Sequence, residues 1–75
     1  MNQIGDPYEN LSNAIVIQAA ADYKRTLRTI RRDPNSASAK ERANHIEQFF
    51  HSEWYRHLTK VDGKLLVRKL KEAVI

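Results

Sequence analysis

The sequence contains no cysteine, and its 75 residues include only two glycines and two prolines. Without cysteine the chain can form neither a disulfide nor a thiolate metal site, which excludes the disulfide-stabilised domains of secreted proteins. Long apolar runs are missing too, because residues 14–17 fall far short of the roughly 20 residues of a membrane-spanning helix. Residues 1–6 are largely polar and lack the apolar segment of a signal peptide. We therefore expect a soluble cytoplasmic protein with no membrane span.

The composition is that of a small, basic, globular domain. Hydrophobic residues make up 41% of the chain and charged residues 29%, a balance that separates it from disordered sequences. A chain of this length forms one domain, but below roughly 70–80 residues a single core is marginal and a partner often adds stability. The formal net charge of +4 favours acidic partners, whether nucleic acid or an acidic protein surface, without requiring one.

A long first helix is predicted from residue 7 to residue 32. Pro7 suits the first turn, where its missing N–H has no intrahelical partner. Apolar residues then recur every three or four positions, as one face of a helix requires. They are Tyr8, Leu11, Ile15, Ala19, Tyr23, Leu27 and Ile30. Ala14, Ile17 and Ala21 widen this stripe and predict packing on two sides of the helix centre. Pro34 ends the pattern, because proline cannot continue a helix.

Three shorter helices are predicted after Pro34. The second, at about 37–51, begins near Ser36 or Ser38, and Ser38 with Glu41 three residues later matches a capping box. A kink or break near His51 or Ser52 is favoured, followed by a short helix at about 52–59. The alternative is that the second helix continues through Ser52. Asp62 is a good N-cap for a last helix at 63–74.

No segment alternates with a period of two, so no sheet is expected. The prediction is an all-α fold, a compact bundle of three or four helices with a long first helix, in one domain spanning residues 1–75. The predicted core consists of Ile15, Ala19, Leu27, Ile46, Phe49, Phe50, Trp54, Leu58, Leu66 and Leu70.

Several short segments carry a resemblance to known sequences. They are YENL at residues 8–11, AIVIQA at 14–19, DY at 22–23, FF at 49–50, SEW at 52–54, LT at 58–59, DG at 62–63 and KL at 69–70. Together they resemble small helical proteins encoded by phages and prophages of Gram-positive bacteria, over nearly the whole chain outside the Pro34 loop. The resemblance implies a helical fold and a phage or mobile-element origin. It implies no activity and assigns no site residues.

Basic residues are densest at the end of the first helix. Five of the nine residues at 24–32 are cationic, namely Lys24, Arg25, Arg28, Arg31 and Arg32, and the last helix adds Lys64, Arg68 and Lys71. Cations at helical spacing can follow a phosphate backbone, each contact releasing counterions. Cations near a helix C-terminus also complement the helix dipole, so a solvated face is the alternative. We predict that these eight residues bind nucleic acid, with DNA the first expectation.

Residues 54–74 also invite comparison with a helix-turn-helix motif, because a short helix, a glycine-containing turn and a basic helix follow one another. The fit is poor. Placing Gly63 in the turn puts Lys69 where the motif needs a buried aliphatic residue, and Asp62 is better explained as a cap.

Four aromatic residues lie close together at Phe49, Phe50, Trp54 and Tyr55. Exposed rings could stack on bases, but in a domain of this size we expect core packing, with Trp54 largely buried. All four cannot face one core. Phe49 and Tyr55 are therefore the candidates for a partly exposed protein interface.

Signatures of catalysis and of metal binding are missing. His45, His51 and His57 are spaced by six, which places successive histidines on opposite helix faces, whereas a helical metal pair needs a spacing of four. There is no nucleophile motif, no glycine-rich phosphate loop and no paired-carboxylate arrangement. We expect no enzyme, no cofactor and no metal.

The sequence favours a small phage or prophage accessory protein that acts by binding, with nucleic acid the first candidate partner. Two alternatives stay open. One is a protein-binding inhibitor or adaptor that acts on a host, phage or defence protein, of the anti-defence type. The other is a structural homo-oligomer.

Overall fold

Four helices make up the fold, and a computed structural model describes their backbone over residues 7–74, with side chains from residue 9 onward. They are α1 (Pro7–Arg32), α2 (Ala37–Phe50), α3 (Glu53–Leu58) and α4 (Gly63–Val74). No strand occurs among the described residues. The predicted all-α bundle with a long first helix is therefore confirmed. Asp6, the other residue that could open α1, lies outside the described residues.

Capping side chains set the helix boundaries after Pro34. The hydroxyl of Ser36 accepts the N–H of Ala39 at 3.2 Å and caps α2. The predicted capping box at Ser38 is wrong, because Ser36 already has the extended backbone of an N-cap and Ser38 lies inside the first turn. Asp62 caps α4 as predicted, since its Oδ1 accepts the N–H groups of Lys64 at 2.9 Å and Leu65 at 3.3 Å.

Ser52 makes the break between α2 and α3, as predicted. Its hydroxyl donates to the carbonyl of Phe49 at 2.6 Å and accepts the N–H of Tyr55 at 3.1 Å, so one side chain both terminates α2 and caps α3. Close packing then brings the start of α4 against the end of α2. A Cβ at Gly63 would lie 2.0 Å from the carbonyl oxygen of Phe50, so the contact requires glycine.

The core lies on one side of α1, where α2, α3 and α4 all pack. At its centre are Tyr23, Ala43, Phe50, Tyr55 and Val67, and Leu58 is buried as well. Several predicted core residues pack around this centre. They are Ala19, Leu27, Ile46, Phe49, Leu66 and Leu70. Ile15 is half-buried.

Two aromatic predictions are wrong in opposite directions. Trp54 is 56% exposed, whereas Tyr55, predicted to be partly exposed, is only 1% exposed. The physical reason is the break at Ser52, which resets the helical register. The inward positions of α3 are Tyr55 and Leu58, and Trp54 therefore points away from the core.

The predicted second packing side of α1 is also wrong. Ala14, Ile17 and Ala21 are exposed, with Ile17 at 67%, because no other described helix covers that side. Leu11 is likewise exposed. The first helix therefore carries an apolar surface that no other described helix covers.

Candidate functional site

The cations of α1 lie on the side of the helix that turns away from the core. Tyr23, Thr26, Leu27 and Ile30 face inward, and the five cations of residues 24–32 lie on the opposite side of the helix. Four are exposed and one is half-buried. We call this set the basic face, and its members are Lys24, Arg25, Arg28, Arg31 and Arg32.

Two of the five cations have partners within the fold. Arg25 donates to Asp22 Oδ1 at 3.1 Å, but both side chains are exposed, and an ion pair of that kind is worth little. Arg31 Nη1 donates to the carbonyl of Val74 at 2.7 Å and so satisfies a carbonyl in the last turn of α4. Arg31 therefore links α1 to the end of α4, in addition to carrying an exposed charge.

The other three cations, Lys24, Arg28 and Arg32, have no hydrogen bond or ion pair with any described residue. Arg28 is the extreme case, because its helical neighbours at three and four positions on either side are Lys24, Arg25, Arg31 and Arg32. Like charges at these spacings destabilise a helix by about 0.2–0.5 kcal/mol per pair. The helix dipole offsets part of this cost, but only within the last turn. The basic face therefore carries positive charge that no described residue neutralises.

The cations of α4 join the basic face only at one end. Lys71 and Arg31 lie beside the same apolar hollow of about 380 Å³, with Leu27, Ile30 and Val74. Lys71 Nζ is also 3.8 Å from Glu47 Oε2, an ion pair that leaves Lys71 half-exposed.

Lys64 lies at the other end of α4, which by the helical rise is about 18 Å long. There it shares a hollow of about 480 Å³ with Arg56 and Lys60, two cations that the sequence did not single out. The two basic sets therefore do not form one continuous stripe.

A further cation, Arg42, meets the basic face from α2. Arg25 and Arg42 line a small cleft of about 120 Å³ between α1 and α2. Hydroxyl groups make up much of the rest of its lining, from Thr26, Thr29, Ser36 and Ser38. The sequence reasoning missed Arg42 because no other arginine lies near it along the chain. The sequence did contain one indication. Arg42 directly precedes Ala43, which faces the core, so Arg42 lies at the border between α2 and α1.

Trp54 lines an open groove of about 520 Å³ against the middle of α1. We call it the Trp54 groove. Its other lining residues are Ala14, Ile15, Gln18, Ala19, Asp22 and Phe49. The Trp54 and Phe49 rings meet edge-to-face, with centroids 5.5 Å apart and an interplanar angle of 74°. Of the two predicted interface residues, Phe49 is half-buried and contributes to this groove, whereas Tyr55 lies in the core.

The fold raises the pKa of two buried tyrosines, Tyr23 and Tyr55. Burial raises the pKa of Tyr23, and so does its hydroxyl's 2.5 Å hydrogen bond to Glu47 Oε2. Burial also raises the pKa of Tyr55, with a smaller contribution from the nearby carboxylate of Asp62. Both tyrosines are thus held more firmly in the neutral form.

Over residues 7–74, no group of three or more His, Asp or Glu side chains is arranged to hold a metal ion. In the same part of the chain, no helix is long and apolar enough to cross a membrane.

The chain matches no known family model, no curated protein and no solved structure. The geometry of the surfaces is therefore what suggests a function.

Proposed function

We propose that this protein binds nucleic acid through the basic face of α1, and that it serves as a phage or prophage accessory protein. The main support for the proposal is the positive charge that surrounds Arg28. This exposed arginine has four cations as its helical neighbours and no anionic partner among the described residues. A polyanion would remove the resulting repulsion, and phosphates bound here would release their condensed counterions.

Three features add to this argument. Arg32 extends the uncompensated charge to the end of α1, and Arg42 widens it across the α1–α2 cleft. Lys71 supplies a further cation beside Arg31. Lys64 and Arg68 lie nearer the start of α4 and contribute at most to the edge of the binding surface.

A double charge reversal, Arg28→Glu with Arg32→Glu, tests the proposal. Both side chains are exposed, so the helical circular dichroism should be unchanged while binding of DNA and RNA in mobility-shift assays is lost. The matched control is Lys40→Glu with Lys69→Glu. It lowers the net charge equally, but at exposed sites outside the basic face, and should keep most of the affinity. Equal loss of binding in both variants would mean that only the overall charge matters.

The exposed apolar residues of α1 favour a second candidate function, which is binding to a host, phage or defence protein. Leu11 and Ile17 are 59% and 67% exposed, and surfaces of this kind often belong to protein interfaces. Nuclease treatment separates the two functions, because a protein partner would stay bound after the nucleic acid is digested.

A further inference from the structure

The Trp54 groove and the basic face are neighbours along α1, and Asp22 joins them. Asp22 lines the groove, and its Oδ1 accepts hydrogen bonds from Gln18 Nε2 and from Arg25 Nη1, each at 3.1 Å. The carboxylate is thereby partly neutralised by Arg25. Along α1 the surface therefore changes from apolar at Ala14 to cationic at Arg25, without an intervening free anion.

Helix α2 repeats this order on the other side. Phe49, near its end, lines the Trp54 groove, and Arg42, two turns earlier, lines the cleft with Arg25. Because α2 runs back along α1 after the Pro34 turn, Phe49 lies beside the part of α1 that lines the groove, and Arg42 lies beside Arg25. The two helices thus form one track, with the rings of Phe49 and Trp54 at one end and guanidinium groups at the other.

Trp54 leaves more than half of its surface in contact with water. At 56% exposure, the side chain forgoes much of the stabilisation that burial of an indole gives in a small domain. Its contact with Phe49 is edge-to-face, and the small side chains of Ala14 and Ala19 keep the opposite part of the groove open. A flat ring of a ligand has room to enter.

We infer that the Trp54 groove stacks a base of single-stranded nucleic acid, whose phosphates continue along Arg25, Arg28 and Arg42. The inference rests on the proposed function and narrows its substrate to single strands. Bases within a duplex are stacked on one another and cannot reach such a groove, whereas bases of a single strand stack readily on exposed aromatic side chains. Gln18 and Asp22 add polar groups that can bind to the edge of the base.

The dimensions of the track fit a short segment of one strand. From Ala14 to Arg28 the helical rise gives a length of about 21 Å. That length corresponds to about six phosphates at the 3.4 Å spacing of a stacked strand. Charge complementarity favours nucleic acid over an apolar peptide, because the groove leads onto cations that have no anionic partner among the described residues.

Fluorescence gives a direct test, because Trp54 is the sole tryptophan of the chain. Oligomers of thymidine and of uridine, each of about a dozen nucleotides, are titrated alongside a mixed-sequence duplex, and the two single strands distinguish DNA from RNA. Stacking should quench Trp54 fluorescence with at least one single strand and not with the duplex. Trp54→Leu, followed by anisotropy of a labelled oligomer, should weaken single-strand binding about 5- to 150-fold and leave duplex binding unchanged.

Two further variants control this test. Trp54→Phe keeps a ring and should retain part of the affinity that Trp54→Leu loses. Val61→Ser removes an apolar residue that is 52% exposed but lies outside the groove, and it should have no effect.

Three results would overturn the inference. Equal affinity for single strands and duplex, with unchanged Trp54 fluorescence, would overturn it and leave the proposed function standing. No binding of any nucleic acid at low salt would overturn both. A protein that remains bound after nuclease treatment to the native chain, but not to Trp54→Leu, would assign the groove to a protein partner instead.

Discussion

Tyr23 and Glu47 form a hydrogen bond of 2.5 Å that links α1 to α2. Tyr23 is completely buried, whereas the Glu47 carboxylate is half-buried and also lies 3.8 Å from Lys71 Nζ on α4. One carboxylate therefore connects three helices at the edge of the core.

This bond predicts a loss of stability at alkaline pH. Because the folded state raises the pKa of Tyr23 above its ordinary value of about 10, the neutral form stabilises the fold. That contribution is complete below pH 10 and declines as the pH rises further. Tyr23→Phe should lose about 1–2 kcal/mol at neutral pH and show a shallower decline above pH 10. Urea unfolding at a series of pH values measures both effects, and identical pH profiles for the two proteins would contradict the assignment.

The difference in burial between the exposed Trp54 and the core aromatic residues predicts which aromatic substitutions unfold the protein. Trp54→Ala should cost less than about 1 kcal/mol, since the side chain is mostly exposed. Phe50→Ala should cost about 3–5 kcal/mol, which is comparable with the whole stability of so small a domain. Thermal unfolding followed by circular dichroism compares the two variants. The opposite order would place Trp54 in the core.

Ser36 and Ser38 offer a matched pair of substitutions for the start of α2. Ser36→Ala removes the cap of the Ala39 N–H and should cost about 1 kcal/mol. Ser38→Ala should be close to neutral, because Ser38 lies within the helix and alanine is a better helix former. If Ser38→Ala proved the more destabilising in chemical denaturation, the capping box expected from the sequence would be correct after all.

Gly63 should not tolerate a side chain. A Cβ at this position would meet the backbone carbonyl of Phe50 at 2.0 Å, and a backbone atom cannot move aside cheaply. Gly63→Ala should therefore cost about 1–3 kcal/mol, as overpacking usually does. Lys64→Ala, one residue later at an exposed position, serves as the control and should change the urea midpoint little.

Local sequence signals were sufficient for the helices but not for their mutual contacts. Pro34, Ser52 and Asp62 act on their own neighbours, so the breaks and the last cap could be predicted directly. Trp54 could not be placed correctly, because the break at Ser52 shifts the register of α3 by an amount that the apolar spacing alone does not give.

The candidate site depends still more on tertiary packing. The cations of α1 are visible as a cluster in the sequence, and the structure places them on one exposed side. Arg42 lies near Arg25, and Lys71 lies near Arg31. Each pair comes from two different helices, and no rule of sequence spacing predicts such pairs. The Trp54 groove likewise requires α1 and α3 to be packed before it exists.

The dependence of nucleic-acid affinity on salt tests the central claim most directly. Plots of log affinity against log salt are compared for the native chain and for Arg28→Gln with Arg32→Gln, using both duplex and single strands. The glutamines remove the two charges without reversing them, so that the remaining binding can be measured. Three or four phosphate contacts predict a slope of about −3 for the native chain on duplex DNA, and loss of two contacts predicts a variant slope shallower by about 1.8. The absence of any binding by the native chain at low salt and micromolar protein would contradict the account.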